Sequence, residues 1–414
     1  LTRTVSAIID QVRDEGEAAL LKLTEKFDHV SLKTVKVEGE AVAKAYREIP
    51  EETVKQLRFA ASRIRAFAER QLACIKPLSY QSDIPGLELG HRLVPVEKCG
   101  CYIPAGRYPL PSSALMSIVT AKTAGAPFVA ACSPPVSSHG GIHPAVLAAM
   151  DIAGADAVYC MGGAQAVAAY AYGAGPVQKA DLIAGPGNRY VTEAKRQVLG
   201  DVGIDSLAGP SEVLIIADET ATPLFIAIDL LAQAEHDPDA KLILVSTSGD
   251  VIDKTQKEIE KLLIDLPTRD VAEKSWAENG AIYLAESLDE AAAFSDEIAP
   301  EHLEVQVAPE RERETAEKLK HYGSLFVGRY APVAFGDFAS GTNHILPTMT
   351  TARFSSGLWV GTFIKTSFHQ YLSAEGCLNL SIPAMHLAET EGLAAHRDSI
   401  RLRINAINTK ETKT

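Results

Sequence analysis

Four short stretches of this 414-residue chain carry side chains that could do chemistry. The first is Gln233-Ala-Glu-His236, which closes the strongly helical run ATPLFIAIDLLA. Residues three apart on a helix share a face, so the Gln233 amide and the His236 imidazole could hold one metal. The same spacing also serves an exposed pair or a core contact. The second is Ala299-Pro300-Glu301-His302-Leu303, at the mouth of the apolar run HLEVQV. Glu301 and His302 can both act as general bases, one for an alcohol and one for a water; a surface turn is the plainer reading. The third runs from Phe335 to Thr348 and includes Asp337, Ser340, Thr342, Asn343 and His344. Such a loop is rich in ligands and poor in packing value, and loops of this kind tend to carry function. The fourth is Glu391 to His396, which by itself is an ordinary helix end.

The elements that must position these groups follow from apolar periodicity. Residues 1 to about 75 read as helical, because Val5, Ile8, Ile9, Val12, Ala18 and Leu21 recur at helical spacing. From Leu93 short apolar runs alternate with amphipathic segments. PFVAAC (127–132), ADAVYC (155–160) and ADLIAG (180–185) read as buried strands, with helices at 145–153 and 163–172 between them. A second set comprises EVLIIAD (212–218), KLILVST (241–247), AIYLAE (281–286), HLEVQV (302–307) and SLFVG (324–328). This β-α-β rhythm predicts an α/β fold with parallel sheets covered by helices on both faces. The stretch from about 358 reads as helical again. Two α/β sheets suggest a nucleotide enzyme, yet no G-x-G-x-x-G occurs, so a bound dinucleotide would have to be held differently.

Composition narrows the class. The chain is long enough for two to three domains. Its apolar share of 46% and charged share of 22% are those of a folded globular protein. Lys and Arg number 40 against 53 Asp and Glu, giving a net charge of -13, which argues against a nucleic-acid partner. Cys74, Cys99, Cys101, Cys132, Cys160 and Cys377 include no C-x-x-C pair and do not make a disulfide scaffold, so a reducing cytoplasm is expected. The richest apolar stretch, Ala114 to Cys132, is interrupted by Lys122, and no membrane span is expected. The chain begins at Leu1 rather than Met, so a short N-terminal piece is expected to precede it.

Taken together and in order, these segments resemble the histidinol dehydrogenase family over almost the whole chain. The most specific strings are GGAQAVAA (162–169), GPGNRYVTEAKRQV (185–198), AGPSEVLIIAD (208–218), DLLAQAEH (229–236), APEHL (299–303) and GTNHILPT (341–348). The resemblance implies residue roles. Gln233, His236, Asp337 and His396 match the family's four zinc ligands, a nitrogen and oxygen set typical of a catalytic site. Glu301 and His302 match its catalytic pair. Ser211, His344 and Glu391 match residues around the substrate, as do the zinc ligands and His302. Tyr102, Gln165 and Asn188 match positions around NAD, which this family binds without a glycine-rich fingerprint.

The resemblance also implies an architecture of two incomplete Rossmann-like domains, residues 1–101 with 210–357 and residues 102–209, followed by a helical dimerisation tail at 358–414. In that arrangement His396 and Glu391 complete a partner's site, so an obligate homodimer is expected. The implied reaction, a step of histidine biosynthesis, takes a primary alcohol to a carboxylate through a held aldehyde, with two hydride transfers to NAD. His302 serves as base for both steps and Glu301 activates a water between them.

The substrate reading has two branches. Cys99-Gly100-Cys101-Tyr102-Ile103-Pro104-Ala105-Gly106-Arg107-Tyr108-Pro109, Val333-Ala334-Phe335-Gly336-Asp337 and Gly357-Leu358-Trp359-Val360-Gly361 look more like a sister group that oxidises sulfopropanediol to sulfolactate. Gly209-Pro210-Ser211-Glu212, Pro300-Glu301-His302-Leu303 and Phe338-Ala339-Ser340-Gly341 are histidinol-like. L-histidinol is the favoured branch. In it Arg107 contacts the NAD pyrophosphate or lies on the surface; in the other, Arg107 pairs with a sulfonate. A relative that binds a small molecule without turning it over ranks below both, because every ligand and base position is filled.

Overall fold

The N-terminal helices form where the apolar spacing places them. In the computed structural model, which describes residues 1–105 and 108–411, Val5, Ile8, Ile9 and Val12 lie buried on one face of α1 (Thr2–Glu15). Then come α2 (Glu17–Asp28), α3 (Gly39–Glu48), α4 (Glu51–Cys74), β1 (Leu78–Gln81), β2 (Leu87–Pro95) and β3 (Lys98–Tyr102). Alternation follows with α5 (Pro111–Thr123), β4 (Phe128–Ser133), α6 (Pro144–Ala153), β5 (Ala157–Cys160), α7 (Gly163–Tyr172), β6 (Leu182–Ala184), α8 (Arg189–Val198) and β7 (Gly203–Ile204). It resumes with β8 (Glu212–Ala217), α9 (Pro223–Ala234), β9 (Lys241–Ser246), α10 (Gly249–Asp265), α11 (Arg269–Asn279), β10 (Gly280–Leu284), α12 (Leu288–Ile298), β11 (His302–Gln306), α13 (Pro309–Lys318) and β12 (Ser324–Val327). The chain ends with α14 (Val333–Phe338), β13 (Ile364–Leu372), α15 (Ala374–Thr390) and α16 (Ala394–Glu411).

Residues 1–72 and 96–363 make one compact unit; residues 73–95 and the chain from Ile364 onward make another. The first unit holds two five-stranded parallel sheets, ordered β5-β4-β3-β6-β7 and β10-β9-β8-β11-β12. Each reverses its strand order at one internal gap, between β3 and β6 in the first sheet and between β8 and β11 in the second. Ligands of open α/β sheets gather at such reversals.

Side-chain alternation divides the second sheet's core. Val213, Ile215, Ala217, Leu242 and Leu244 pack with α9 and α10, while Leu214, Ile216, Val245, Leu303 and Val305 pack with Ala291, Ala292 and Leu319 on the other face. The first sheet is covered by a core that includes residues of α1, α2, α7 and α8.

The second unit departs from the sequence reading. The stretch from about 358 was expected to be helical, but Ile364–Leu372 forms a strand, β13, paired antiparallel with β2 along its whole length. Ile364, Phe368, Tyr371 and Leu372 recur at helical spacing, which produces the helical expectation. Pairing to β2 overrides it, as tertiary context often overrides local propensity. The helices α15 and α16 follow as expected. Sheet β1-β2-β13 was not foreseen.

Candidate active site

Strand register puts the catalytic candidates at one end of the second sheet. Glu212 is the first residue of β8 and His302 the first of β11, and His302 sits opposite Val213 in the parallel ladder. The backbone carbonyl of Glu212 lies 3.0 Å from His302 Nδ1. A carbonyl only accepts, so Nδ1 carries the hydrogen and Nε2 keeps its lone pair. Nε2 is buried and has no hydrogen-bond partner among the described residues. Burial pushes the ring's pKa down to about 4, with the nearby His344 and His236 adding to the effect. At neutral pH His302 is therefore a neutral imidazole with an available lone pair, the form a general base needs.

Glu301 precedes it in the turn after α12, where Ala299 takes the left-handed conformation. Its Oε2 accepts a hydrogen bond from Glu212 N at 2.9 Å and lies 3.6 Å from His302 Nδ1. Burial drives the Glu301 pKa well up, and the charges of Glu212 and Asp337 push the same way. The Glu212 N–H bond opposes that rise, and the net effect makes the Glu301 carboxylate more basic than an exposed one.

The loop from 335 to 348 closes over this pair. Asp337 lies in α14, and its Oδ1 is 4.0 Å from His302 Nε2 and 3.8 Å from His344 Nδ1. Burial raises the Asp337 carboxyl to about 7. His344 donates from Nδ1 to the Asp337 carbonyl at 3.1 Å, and its Nε2 accepts from Ser113 Oγ at 3.2 Å. Its pKa too is pushed down to about 4 by burial. Asn343 Nδ2 donates to the Met116 carbonyl at 3.0 Å, which ties the loop to α5 beside the first sheet.

Gln233 is buried in the last turn of α9. His236 follows in the turn just beyond the helix, not within it. It keeps an exposed surface while neighbouring atoms desolvate the ring enough to lower its pKa. Ser211 lies half-buried immediately before β8. Glu391 caps the end of α15 and His396 stands in the first turn of α16; both are exposed on the second unit.

The NAD candidates gather at the opposite kind of edge, the carboxyl ends of the first sheet. Tyr102 ends β3, and its hydroxyl accepts a hydrogen bond from Gly163 N at 3.1 Å. Gln165 is buried in the first turn of α7. Its Oε1 sits 2.7 Å from where a Cβ on Gly163 would lie, and Gly163 has φ of 63°, so only glycine fits there. Asn188 caps α8, accepting from Tyr190 N at 2.9 Å and Val191 N at 3.2 Å. Just before it, Gly185 has φ of 117° and a Cβ there would lie 2.0 Å from the Tyr102 carbonyl oxygen. At Gly185 the missing side chain lets β6 pack close to the end of β3, and the Gly185 N–H donates to Asp205 Oδ2 at 2.7 Å. Arg107, singled out for substrate choice, lies outside the described residues.

Two partners escaped the sequence reading. Glu212 supplies the carbonyl that fixes the His302 tautomer, and Ser113 holds His344. Glu212 was visible only as a member of family-like strings and as the start of a strand, with no role; Ser113, in an apolar helix, left no signal.

Among the described residues, no three His, Cys, Asp or Glu side chains converge closely enough to hold a metal ion. The amide of Gln233, the imidazole of His236 and the carboxyl of Asp337 do match zinc in donor type. Asp337 is moreover a buried acid whose charge a divalent cation would compensate.

A buried imidazole base beside a buried carboxyl, framed by two α/β sheets, defines a site for moving protons on a small molecule. The family is then given by comparison. The family model for histidinol dehydrogenase matches residues 1–404, and the chain belongs to that family. It is 44% identical over 400 residues to a histidinol dehydrogenase of Methanosarcina mazei, covering 97% of this chain and 91% of the relative. It is 42% identical over 402 residues to a histidinol dehydrogenase homolog of Shouchella clausii, covering 97% and 94%. The crystal structure of histidinol dehydrogenase from Elizabethkingia anophelis superposes with a TM-score of 0.92 at 35% identity, over 98% of this chain and 92% of that one.

Proposed function

We propose that the chain oxidises L-histidinol to L-histidine in two NAD-dependent steps with a zinc ion at the site. The unpartnered, buried Nε2 of His302 carries this reading. The alcohol places its hydroxyl at Nε2, which takes the proton as hydride passes to NAD, leaving an aldehyde. Glu301, once ionised, takes a proton from a water that adds to the aldehyde. His302, having released its first proton to solvent, takes the hydrate's hydroxyl proton as the second hydride leaves, giving the carboxylic acid, which ionises to the carboxylate. The net change is alcohol, water and two NAD+ to carboxylate, two NADH and three protons. Gln233, His236, Asp337 and His396 would hold the zinc, which would orient the substrate and supply Lewis acidity. Tyr102, Gln165 and Asn188 would border NAD, and Ser211, His344 and Glu391 the substrate.

The domain division at 102–209 and at 358–414, the homodimer in which His396 and Glu391 serve a partner's site, and a cytoplasmic location belong to the same proposal. In support of the first, the strands of one sheet span 98–204 and those of the other 212–327. No described helix is long and apolar enough to cross a membrane.

One observation favours a second reading, oxidation of sulfopropanediol. The Tyr108 hydroxyl donates to the Glu235 carbonyl at 3.4 Å, so Tyr108 abuts the turn that carries His236. NADH formation with L-histidinol and with sulfopropanediol, in wild type and Arg107→Ala, tests both. L-histidinol should be preferred. A preference for sulfopropanediol above about tenfold, or 1.4 kcal/mol, that Arg107→Ala abolishes would establish the second reading.

A further inference from the structure

Strand β11 presents His302, Glu304 and Gln306 on one side, since alternate residues share a face. That side is the one packed by α9 and α10: His302, Glu304 and Gln306 pair with Val213, Ile215 and Ala217, which belong to that core. Only 1% of Glu304 is exposed. Two buried polar residues beyond the catalytic histidine, on an otherwise apolar face, carry a desolvation cost that a purely structural strand would avoid with Val or Ile.

Their partners explain where they act. Glu304 Oε1 accepts a hydrogen bond from Val333 N at 3.1 Å, the first residue of α14. Gln306 Nε2 donates to Glu304 Oε2 at 3.0 Å and to Asp229 Oδ2 at 3.1 Å. The Asp229 charge also acts on the Glu304 carboxyl. Asp229 lies on α9 one turn before Gln233, on the same helix face. Val333 lies one helical turn before Asp337. One polar cluster thus joins the three elements that carry Gln233, His302 and Asp337.

We infer that Glu304, with Asp229 and Gln306, is a positioning residue that sets the spacing of α9, β11 and α14 and thereby holds Gln233 and Asp337 over His302. This rests on the proposed function for the role of those three groups. A six-residue helix has little stability of its own, so its first N–H bond to a fixed strand residue governs where Asp337 points. Burial and the Asp229 charge push Glu304 up to about 8, so it keeps its proton at neutral pH and can donate to Asp229.

The test compares Glu304→Ala, Glu304→Asp and Glu304→Gln with wild type. Glu304→Ala removes the acceptor for Val333 N. Glu304→Asp, one methylene shorter, withdraws it with little volume change and serves should the alanine variant fail to fold. Glu304→Gln keeps an acceptor for Val333 and a donor for Asp229. The expected result is a kcat at least tenfold lower for Ala and Asp, zinc released at 10- to 100-fold lower chelator concentration, as for loss of groups that orient metal ligands, and an unchanged KM for NAD. Glu304→Gln should recover both kcat and zinc retention to within about threefold.

Wild-type kcat and zinc retention in Glu304→Asp, or Glu304→Gln as impaired as Glu304→Ala, would overturn the inference. So would losses that merely track thermal unfolding temperature. Hydrogen exchange of the 333–338 amides separates this inference from the functional reading. Faster exchange there in Glu304→Ala, in a protein whose wild type neither holds zinc nor oxidises histidinol, keeps the coupling and sinks the function. Unchanged exchange sinks the coupling.

Discussion

The two sheets of the first unit have the same strand order and the same internal reversal, yet they use opposite edges. The first gathers Tyr102, Gln165 and Asn188 at its carboxyl edge; the second gathers Glu212, Glu301 and His302 at its amino edge. The difference lies in what fills each reversal. Beyond β3 and β6, Gly185 packs against the Tyr102 carbonyl and donates from N to Asp205 Oδ2 at 2.7 Å, and Asp205 is ion-paired with the buried Lys195 at 2.6 Å. Beyond β8 and β11 stands Asp218, fully buried. Its carboxylate accepts from Ala308 N at 2.9 Å and Thr220 N at 2.8 Å. Its cationic neighbour, Arg311 Nη1 at 3.7 Å, is partly exposed, whereas Lys195 in the first sheet is buried. The same topology thus carries the NAD candidates at the carboxyl edge of one sheet and the candidate base and acid at the amino edge of the other.

The sharpest test of this contrast is the largest effect. His302→Asn should lower kcat for both oxidation steps by roughly 10²–10⁴-fold, the usual cost of losing a general base, with KM for NAD unchanged. Steady-state kinetics with alcohol and with aldehyde check it; an effect confined to KM for NAD would move the base to the wrong edge. Dialysis against a chelator should abolish most turnover, and added zinc should restore it. Full turnover by a metal-free preparation would remove zinc from the site.

Glu301→Gln should slow aldehyde oxidation by roughly 10²-fold while sparing alcohol oxidation more, because only the second step needs an activated water. Supplying the aldehyde directly separates the two. At the first sheet, Asn188→Ala should raise KM for NAD severalfold with little change in kcat. It should also cost about 1 kcal/mol of stability, since the residue caps α8; urea unfolding reads the second effect.

The smallest expected effect is in stability against pH. His302 is held near 4 in the fold and would titrate near 6.5 unfolded. The unfolded chain therefore binds more protons in that window, so this contribution is full above about pH 6.5 and drains as pH falls toward about 4. His302→Asn should lose about 1–2 kcal/mol less stability than wild type between pH 6.5 and 4.5. Asn188→Ala, which titrates nothing, should leave that slope alone. Urea midpoints at several pH values decide it.

The alternation of strands and helices was legible because buried parallel strands need unbroken apolar runs such as EVLIIAD and KLILVST. The residue order of Glu301-His302 and GTNHILPT was legible as a family pattern. Sequence alone also fixed which groups are able to ionise. It did not fix their state. The His302 tautomer depends on the Glu212 carbonyl, 90 residues away in the chain, and the depressed pKa depends on burial that no local pattern encodes. Strand β13 shows the same limit: its apolar spacing suits a helix, and only β2 beside it makes a strand. Asp229, Glu304 and Gln306 read as an ordinary helix acid and two polar strand residues until the fold brings them onto Val333. Composition and periodicity act between neighbours in the chain, whereas desolvation and hydrogen-bond partnership act between neighbours in space. The tertiary structure alone therefore decided which acids are buried, which imidazole lone pair stays open, and at which edge of each sheet the candidate residues gather.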